Sequence, residues 1–354
     1  MIKHNYEIFK GVEQLDEDFW TKILEYKHAN FFQTPRAIDF FKSVKPETFT
    51  IGLKRNKKTI ALISGVIEKE GSIKSYFSRR AIVYGGPIFV PDITSDEISM
   101  LLTALVKEIE NKVIYIEIRN FDDYNEYKNA FFKSNFKYVP HLNFHLNITD
   151  EETLKKNMSK SKLRDIKRSL KEGAEIIEAN NSNQITAYYE ILHNLYLTKV
   201  KTPLPNEAFF QKLFNDKVAK FLLILYKDEI IGGVVIATLR KNVLYEWFVC
   251  GKDQKYKNVF PSILSTWAAI EYANNNNIKY LDFMGAGSPD KDYGVREFKS
   301  KFGGELVEHG RFLCITNPTL YWVGKKVLTF IKNRDQLVKI KPKVKSIIKK
   351  LKYA

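Results

Sequence analysis

The segment Phe298-Lys299-Ser300-Lys301-Phe302 repeats, with one change, the segment Phe132-Lys133-Ser134-Asn135-Phe136, which lies 166 positions earlier in the chain. Similar strand-like segments precede the two copies, Tyr115-Ile116-Glu117-Ile118 before the first and Tyr280-Leu281-Asp282-Phe283 before the second. Self-similarity at a fixed spacing is the sequence signature of a repeated structural unit. The sequence therefore predicts a duplicated domain. Because only the second copy continues into Gly303-Gly304-Glu305-Leu306-Val307, we expect the chemistry there.

The length and composition of the chain fit a folded protein with two cores. It has 354 residues, of which 44% are hydrophobic and 14% aromatic, which is long for one core and natural for two. Its two cysteines, Cys250 and Cys314, lie in apolar runs without a metal or redox motif, so we expect packing residues in a reducing compartment. The N-terminus has no signal-peptide pattern, and no segment approaches the roughly 20 apolar residues of a membrane-spanning helix. The sequence thus predicts a cytoplasmic protein.

The order of the predicted elements indicates an α+β fold. Each copy contains an early hairpin of strands, which turns at residues 55–58 in the first copy and at residues 227–228 in the second. A strand, a helix, a strand, a helix and closing strands follow, which gives mixed, mostly antiparallel sheets. This order is that of the N-acetyltransferase-like fold. We therefore predict two tandem N-acetyltransferase-like domains, residues 1–150 and 151–318, and a basic amphipathic helical tail, residues 319–354.

Positive charge is concentrated in the tail. The formal net charge is +16, and residues 319–354 contain eleven Lys or Arg residues against Asp335 alone. Apolar residues recur among these lysines at near-helical spacing, which is typical of an amphipathic helix that lies on an anionic membrane surface. A helix packed on the second domain, or one that binds the backbone of tRNA, would show the same pattern. The first interpretation places the protein at the inner face of the cell membrane as a peripheral protein.

A second basic segment lies between the two copies. Lys162, Arg164 and Arg168 belong to one short amphipathic helix. Its buried side is predicted to consist of Leu154, Met158, Leu163, Ile166 and Leu170. Arg164 and Arg168 fall one helical turn apart and can hold one anion together, such as the diphosphate of an acceptor. The alternative is an ordinary solvated helix face.

The segment expected to bind an acyl donor lacks the usual glycines. The N-acetyltransferase-like fold normally holds the pyrophosphate of its donor at a glycine-rich turn before the helix that follows the fourth strand. The corresponding segment here is Gln254-Lys255-Tyr256-Lys257-Asn258-Val259-Phe260-Pro261. Side chains at positions 258–260 stand where a backbone would have to approach phosphate. We therefore expect no coenzyme A in the usual mode, and no other cofactor.

An ordered set of motifs resembles the signature of the FemABX family of peptidyltransferases. The set comprises Leu244-Tyr245-Glu246-Trp247, Tyr256 with Pro261 and Trp267, residues 280–287, Tyr293-Gly294-Val295, Phe298-Lys299 and residues 302–307. Residues 161–168 and 30–35 also resemble segments of that family. The resemblance covers residues 1 to about 318, and the family is likewise built from two N-acetyltransferase-like domains.

This resemblance implies a reaction and its partners. Members of the family transfer an amino acid from aminoacyl-tRNA to the stem peptide of a peptidoglycan precursor, without a metal or coenzyme A. The implied donor is aminoacyl-tRNA, and the implied acceptor is a nucleotide- or lipid-linked cell-envelope precursor. A second interpretation is an acyl-CoA- or acyl-carrier-dependent N-acyltransferase that acts on an amino sugar or peptide amine in surface polysaccharide synthesis. A third is a non-catalytic adaptor that binds anionic lipid or nucleic acid.

The candidate site residues follow from the needs of ester aminolysis. This reaction requires an unprotonated amine, a site for the developing oxyanion and neutralisation of phosphate near the leaving ribose. Lys299 suits the last two tasks, and the resemblance places the important lysine of the family here. Asp282, at a strand end, is expected to orient or deprotonate the amine, unless it caps the following turn. Further substrate-binding residues are expected to be Tyr245, Trp247, Tyr256 and Phe298, unless these aromatic rings only pack the sheet.

Two histidines do not form a metal site in this interpretation. His141 and His145 are four residues apart, which on a helix would place them on one face. The segment around them alternates like a strand, so they lie two pleats apart. We expect no metal ligands in the chain.

Overall fold

The protein, represented by a computed structural model, is described over residues 4–22, 25–69 and 78–326. Its strands are β1 (Tyr6–Lys10), β2 (Thr48–Arg55), β3 (Lys58–Glu68), β4 (Arg80–Gly85), β5 (Ile88–Phe89), β6 (Tyr115–Asn120), β7 (Lys137–Val139), β8 (Leu142–Asn147), β9 (Glu175–Glu178), β10 (Lys220–Tyr226), β11 (Glu229–Leu239), β12 (Val243–Gly251), β13 (Tyr280–Asp282), β14 (Glu305–Glu308) and β15 (Arg311–Ile315). Its helices are α1 (Glu17–Thr21), α2 (Pro35–Val44), α3 (Ser95–Ile109), α4 (Lys128–Lys133), α5 (Glu151–Asn157), α6 (Lys160–Lys171), α7 (Ser182–Leu195), α8 (Glu207–Asn215), α9 (Pro261–Asn275) and α10 (Gly294–Ser300).

The strands form two mixed sheets with the same arrangement. The first has the order β1-β2-β3-β4-β6-β15-β7, with β5 added beside β3, and the second has the order β9-β10-β11-β12-β13-β8-β14. The pairs β4–β6 and β12–β13 are parallel, and the other pairs in these orders are antiparallel. The predicted α+β class with two mixed, mostly antiparallel sheets is therefore confirmed.

The two sheets exchange one strand each. β8 precedes residue 150 but pairs with β13 and β14 of the second sheet. β15, the last strand, pairs with β6 and β7 of the first sheet. The predicted domain boundaries at residues 150 and 318 therefore do not separate the strands of one sheet from those of the other. β15 lies between β6 and β7 of the first sheet, and β8 lies between β13 and β14 of the second. These two positions are equivalent, because the two sheets share one topology.

The two hairpins turn at the predicted places. Asn56 and Lys57 join β2 to β3 with φ of 51° and 69°, and Lys227 and Asp228 join β10 to β11 with φ of 48° and 61°. Positive φ at both central residues is the geometry of a two-residue turn whose twist matches the flanking strands. Both copies use the same turn geometry, which supports the duplication.

Three layers of apolar side chains hold the sheets. The first sheet packs one face on α3, and the second packs one face on α6 and α9. Between the sheets, an aromatic-rich core joins α2 and the turn Phe31–Gln33 to β12, α7 and α8. Cys250 and Cys314 are buried and unpaired, as expected of packing residues.

The basic helix between the copies forms, with two differences from the prediction. Leu154, Met158 and Ile166 are buried and Leu163 is half-buried, but Leu154 lies on the separate helix α5 and Met158 in the link between α5 and α6. Leu170, predicted on the buried side, is 43% exposed. The adjacent Ser169 is fully buried and donates to the carbonyl oxygen of Val259, so the last turn of α6 still packs on the protein and Leu170 lies on its solvent side.

Only the start of the tail is described. The chain is helical over residues 318–326, and the ring of Tyr321 contacts that of Tyr115 edge-on at 5.4 Å between centroids. The rest of the predicted amphipathic tail, residues 327–354, lies outside the described residues. None of the helices described combines the length and the apolar character that crossing a membrane requires.

Candidate active site

The second sheet opens between two of its central strands. The parallel strands β12 and β13 pair only over residues 243–245 and 280–282, although β12 continues to Gly251. The pairing of β12 with β11 also shifts here, between Val235 and Ile236. Ligands of open α/β sheets bind in the crevice beyond the carboxyl ends of parallel strands. The loop at residues 284–287, which follows β13, lies at this crevice.

The backbone of this loop is unusual. Met284 has φ of 57°, a conformation uncommon for residues other than glycine, and Gly285 and Gly287 have φ of 105° and 81°. A strained backbone of this kind persists only where the surrounding contacts hold it, and it is frequent at active sites. Those contacts come from Lys299, Asp282 and Asn143.

Lys299 supports the loop from α10. Its ammonium Nζ donates hydrogen bonds to the carbonyl oxygens of Phe283, at 2.5 Å, and Gly285, at 2.7 Å. The residue is only 7% exposed, and burial lowers the pKa of its ammonium against the opposing charges of Glu246 and Asp282. An ammonium carries three donors, so a third remains for a bound group.

Asp282 is fully buried behind the same loop. Its Oδ1 accepts hydrogen bonds from the backbone N–H of Met284, at 2.6 Å, and from the side-chain amide of Asn143, at 2.7 Å. Asn143 in turn accepts a hydrogen bond from the N–H of Gly285, at 2.7 Å. Of the two roles considered for Asp282, the structure shows the cap of the following turn. Burial keeps this carboxylate from direct contact with a substrate amine.

His145 on β8 lies against the other oxygen of that carboxylate. Its Nε2 is 3.3 Å from Asp282 Oδ2, and 19% of its side chain is exposed. The strand spacing of His141 and His145 had excluded a role for His145 as a metal ligand. Its neighbour comes from β13, more than a hundred residues away in sequence, so spacing along the chain could not reveal the pair.

A second buried carboxylate completes the group around Lys299. Glu246 on β12 lies under α9 and accepts a hydrogen bond from the hydroxyl of Thr266, at 2.7 Å. Burial raises the pKa of Glu246, and the charge of Lys299 opposes that rise. Buried ionisable groups that perturb one another are frequent at functional sites. Glu246 lies in the motif Leu244-Tyr245-Glu246-Trp247 but was not among the residues predicted for the site.

The aromatic residues predicted to line the groove divide into two groups. Tyr245 is 1% exposed and packs between the sheets against Phe32 and Phe121, with ring centroids 5.4 and 5.3 Å apart. Its placement in a substrate groove is therefore wrong, because strand alternation turns it toward the first sheet. Trp247 belongs to the same aromatic core but is half-buried, edge-on to Phe32 at 4.9 Å.

Tyr256 and Phe298 have different partners. The hydroxyl of Tyr256 donates to Glu229 at the start of β11, where Lys252 and Lys255 also bind and lower the pKa of Glu229 to about 2. Tyr256 thus fastens the loop after β12. The ring of Phe298 lies 4.3 Å from Nζ of Lys162, which brings together the predicted residues of α6 and α10.

The predicted arginine pair of α6 faces solvent. The side chain of Arg164 is 74% exposed and binds its neighbour Asp165 at 3.0 Å. The guanidinium of Arg168 lies 6.0 Å from the ring centre of Phe260, just before α9. The helix packs on the face of the second sheet that is turned away from the first sheet. Both guanidinium groups are therefore accessible to an anion on that outer side.

A second arginine pair, not predicted, lies on the first sheet. Arg119 on β6 and Arg311 on β15 both donate to the same oxygen of Glu117, at 2.5 and 2.9 Å. Arg311 also contacts His141 Nε2 at 2.9 Å. Burial and Arg311 lower the pKa of His141 to about 4, so this histidine adds no positive charge. Only the exchange of β15 brings Arg311 to Glu117, which explains why the sequence did not indicate the cluster.

The N-terminus of α9 is already capped. Asp253 accepts hydrogen bonds from the N–H of Ser262, at 3.0 Å, and from its hydroxyl, at 2.6 Å. Val259 is buried, and its carbonyl accepts a hydrogen bond from Ser169 of α6 at 2.5 Å. A carboxylate of the chain thus occupies one of the backbone donors that a helix N-terminus would offer to a phosphate.

One family model matches part of the chain. The sequence model of the FemAB family matches residues 226–328, which include the opened strands, the loop and Lys299. No curated protein matches the chain in sequence.

Solved structures agree with the fold of the chain. The crystal structure of FemX has a TM-score of 0.65 at 12% identity and covers 90% of this chain and 99% of its own. A tandem GNAT protein from the clavulanic acid biosynthesis pathway has a TM-score of 0.54 at 9% identity, covering 89% and 99%. The C-terminal domain of a putative lysylphosphatidylglycerol synthetase from Agrobacterium fabrum has a TM-score of 0.51 at 11% identity, covering 76% and 84%. The protein described here is an acyltransferase.

Proposed function

We propose that this acyltransferase moves an aminoacyl group from aminoacyl-tRNA to an amine of a nucleotide- or lipid-linked cell-envelope precursor. The family match and the FemX fold support aminoacyl transfer in envelope synthesis. A structural neighbour titled a putative lysylphosphatidylglycerol synthetase is named for a product that joins lysine to a phospholipid. The catalytic centre is the crevice between β12 and β13, with Lys299 and the loop at residues 284–287.

The capped N-terminus of α9 is the main observation that favours one donor over the other. Coenzyme A in the usual mode would need the N–H groups of this helix start, of which Asp253 already binds that of Ser262. The equivalent helix of the first copy, α3, begins with a capping box, in which Thr94 accepts the N–H of Glu97 at 3.3 Å and Glu97 accepts the N–H of Thr94 at 2.8 Å. A donor that does not depend on such a pyrophosphate site is thereby favoured over acyl-CoA.

The crevice offers what ester aminolysis needs. The amine attacks the ester carbonyl carbon, a C–N bond forms, and the bond to the ribose oxygen breaks. The third donor of Lys299 stabilises the negative charge that develops on the carbonyl oxygen or on the leaving group. Its two hydrogen bonds to the loop keep the ammonium in place before the reaction begins, so little reorganisation is required.

The anionic end of the acceptor is proposed to bind arginine. Arg164 and Arg168 remain the proposed clamp for its diphosphate, since both are exposed on one side of α6. Lys162 and Phe298 extend this surface toward α10, which carries Lys299. A bidentate guanidinium recognises phosphate better than an ammonium does.

A transfer assay tests the proposed donor. A lipid-linked precursor is incubated with the enzyme and with charged tRNA, ribonuclease-treated charged tRNA or acetyl-CoA. We expect an amide product with charged tRNA, and its loss after ribonuclease treatment. Product from acetyl-CoA that is insensitive to ribonuclease would overturn the proposal and favour the N-acyltransferase alternative.

A further inference from the structure

We propose that His145 is the base that takes the proton from the attacking amine, with Asp282 as the residue that positions it. This inference rests on the proposed function only in that the reaction is acyl transfer to an amine. Any such acceptor must lose one N–H proton as the C–N bond forms. The residue first expected to do this, Asp282, is fully buried. His145 contacts that carboxylate, and 19% of its own side chain is exposed.

Two neighbours of Nε2 decide which nitrogen of His145 reacts. Nε2 lies 3.3 Å from Asp282 Oδ2 and 3.4 Å from the side-chain amide nitrogen of Asn143, which also donates to Asp282 Oδ1. A neutral imidazole has one donor and one acceptor nitrogen, and the charged carboxylate is the stronger of the two neighbours, so it selects the tautomer with the proton on Nε2. The lone pair is then on Nδ1. The carboxylate also stabilises the imidazolium that forms when Nδ1 accepts a proton.

One hydrogen-bonded network joins this pair to the loop of the crevice. Asp282 Oδ1 binds the N–H of Met284, and Asn143 bridges Asp282 to the N–H of Gly285. Lys299 binds the carbonyl oxygen of the same Gly285. The proposed base and the proposed oxyanion donor therefore both contact one short loop through this network. Aminolysis requires a base for the amine proton and a cation for the developing oxyanion.

The proton follows a balanced path. The amine enters unprotonated, and its nitrogen forms a bond to the ester carbonyl carbon. Nδ1 of His145 takes one N–H proton as this bond forms. The imidazolium then returns that proton to the ribose oxygen as the C–O bond breaks. The products are an amide and a free ribose hydroxyl, and His145 is neutral again.

The charges around His145 favour this role. Tyr280 lies 5.3 Å from its ring, and burial with Asp282 raises the pKa of that phenol, which therefore stays neutral. The ring of His309 lies 5.0 Å away, and burial with His145 lowers its pKa, so it too is neutral. Asp122 and Glu305 are the other charged groups facing His145. Burial alone would lower the pKa of His145, but Asp282 outweighs it and the pKa is raised.

The experiment combines pH–rate profiles with a substrate-free measurement. kcat/KM is measured from pH 5.5 to 9 for the full-length enzyme, His145→Gln and Asp282→Asn, with His193→Gln on α7 as the matched control. We expect His145→Gln to lower kcat by about 10²- to 10⁴-fold, the usual contribution of a general base. We expect Asp282→Asn to move the rising limb to lower pH, because the carboxylate that raises the pKa of His145 is gone. His193→Gln should change neither.

The second measurement separates this inference from the proposed donor. Diethylpyrocarbonate modifies neutral imidazoles, and mass spectrometry gives the rate at His145 as a function of pH without any substrate. We expect His145 to react with an apparent pKa above the ordinary value of a histidine in the wild type, and with a lower apparent pKa in Asp282→Asn. If only acetyl-CoA supports transfer, the donor proposal fails and the kinetic test is run with that donor. An unreactive His145, an apparent pKa unchanged by Asp282→Asn, or full activity in His145→Gln overturns the inference.

Discussion

At the scale of single residues, the candidate site is a set of buried groups that act through one loop. Lys299 does not project into open solvent, as a lysine on an ordinary helix face would. Its counterpart in the first copy, Lys133, is exposed and paired with Asp96 at 3.1 Å. The duplicated motif thus has two outcomes, because Lys299 contacts backbone carbonyls of the loop after β13 whereas Lys133 contacts a surface carboxylate.

Lys299→Ala should lower turnover by about 10²-fold or more, since losing one donor to a developing oxyanion costs roughly 3 to 4 kcal/mol. It should also reduce the free energy of unfolding by about 1 to 3 kcal/mol, because two buried carbonyls lose their partner. Single-turnover kinetics and urea denaturation measure the two effects. Lys133→Ala is the matched control and should change neither by much. Equally small kinetic losses in the two variants would refute a catalytic role for Lys299.

At the scale of elements, α6 and the start of α9 define an outer surface of the second sheet. The arginines of α6 face solvent there, while the carboxylate of Asp253 caps α9. A phosphate that binds on this side must therefore use side chains rather than the helix N-terminus. This favours guanidinium groups, which can grip two phosphate oxygens at once.

Changing both Arg164 and Arg168 to Gln should raise the KM of the acceptor far more than that of the donor. kcat should change little, because the pair lies outside the crevice and contributes binding in ground and transition states alike. Steady-state kinetics with each substrate varied in turn measure this. The control removes two other exposed charges nearby, Lys156→Gln with Lys167→Gln. A donor KM that rises instead would assign α6 to tRNA phosphates.

At the scale of the whole molecule, sequence reasoning recovered the sheets better than the site. Hairpins, helices and the repeat follow from local patterns, and their order gave the fold. The exchange of β8 and β15 is invisible in sequence, because either short strand could pair with either equivalent gap. Arg311 beside Glu117 and His145 beside Asp282 depend on that exchange, so neither pair could be predicted. The burial of Tyr245 depends on which face of β12 meets the first sheet.

The basic tail gives a prediction for the intact protein. The full-length chain should sediment with vesicles of anionic lipid at low salt, because each lysine near a charged surface contributes on the order of 1 kcal/mol. A chain ending at Lys326 keeps every described residue and should remain in the supernatant. Vesicles of neutral lipid and 0.5 M salt are the controls. Equal sedimentation of the two chains would show that residues 327–354 are not the membrane contact.

The exchanged strands also set an order of events during synthesis. The second sheet receives β8 from the part of the chain that is made first. The first sheet must wait for Arg311–Ile315, so β6 and β7 keep open edges while some 170 further residues are translated. Open strand edges invite pairing with other chains, and such intermediates tend to aggregate. The N-terminal half of the nascent chain is therefore the half that most needs protection by chaperones.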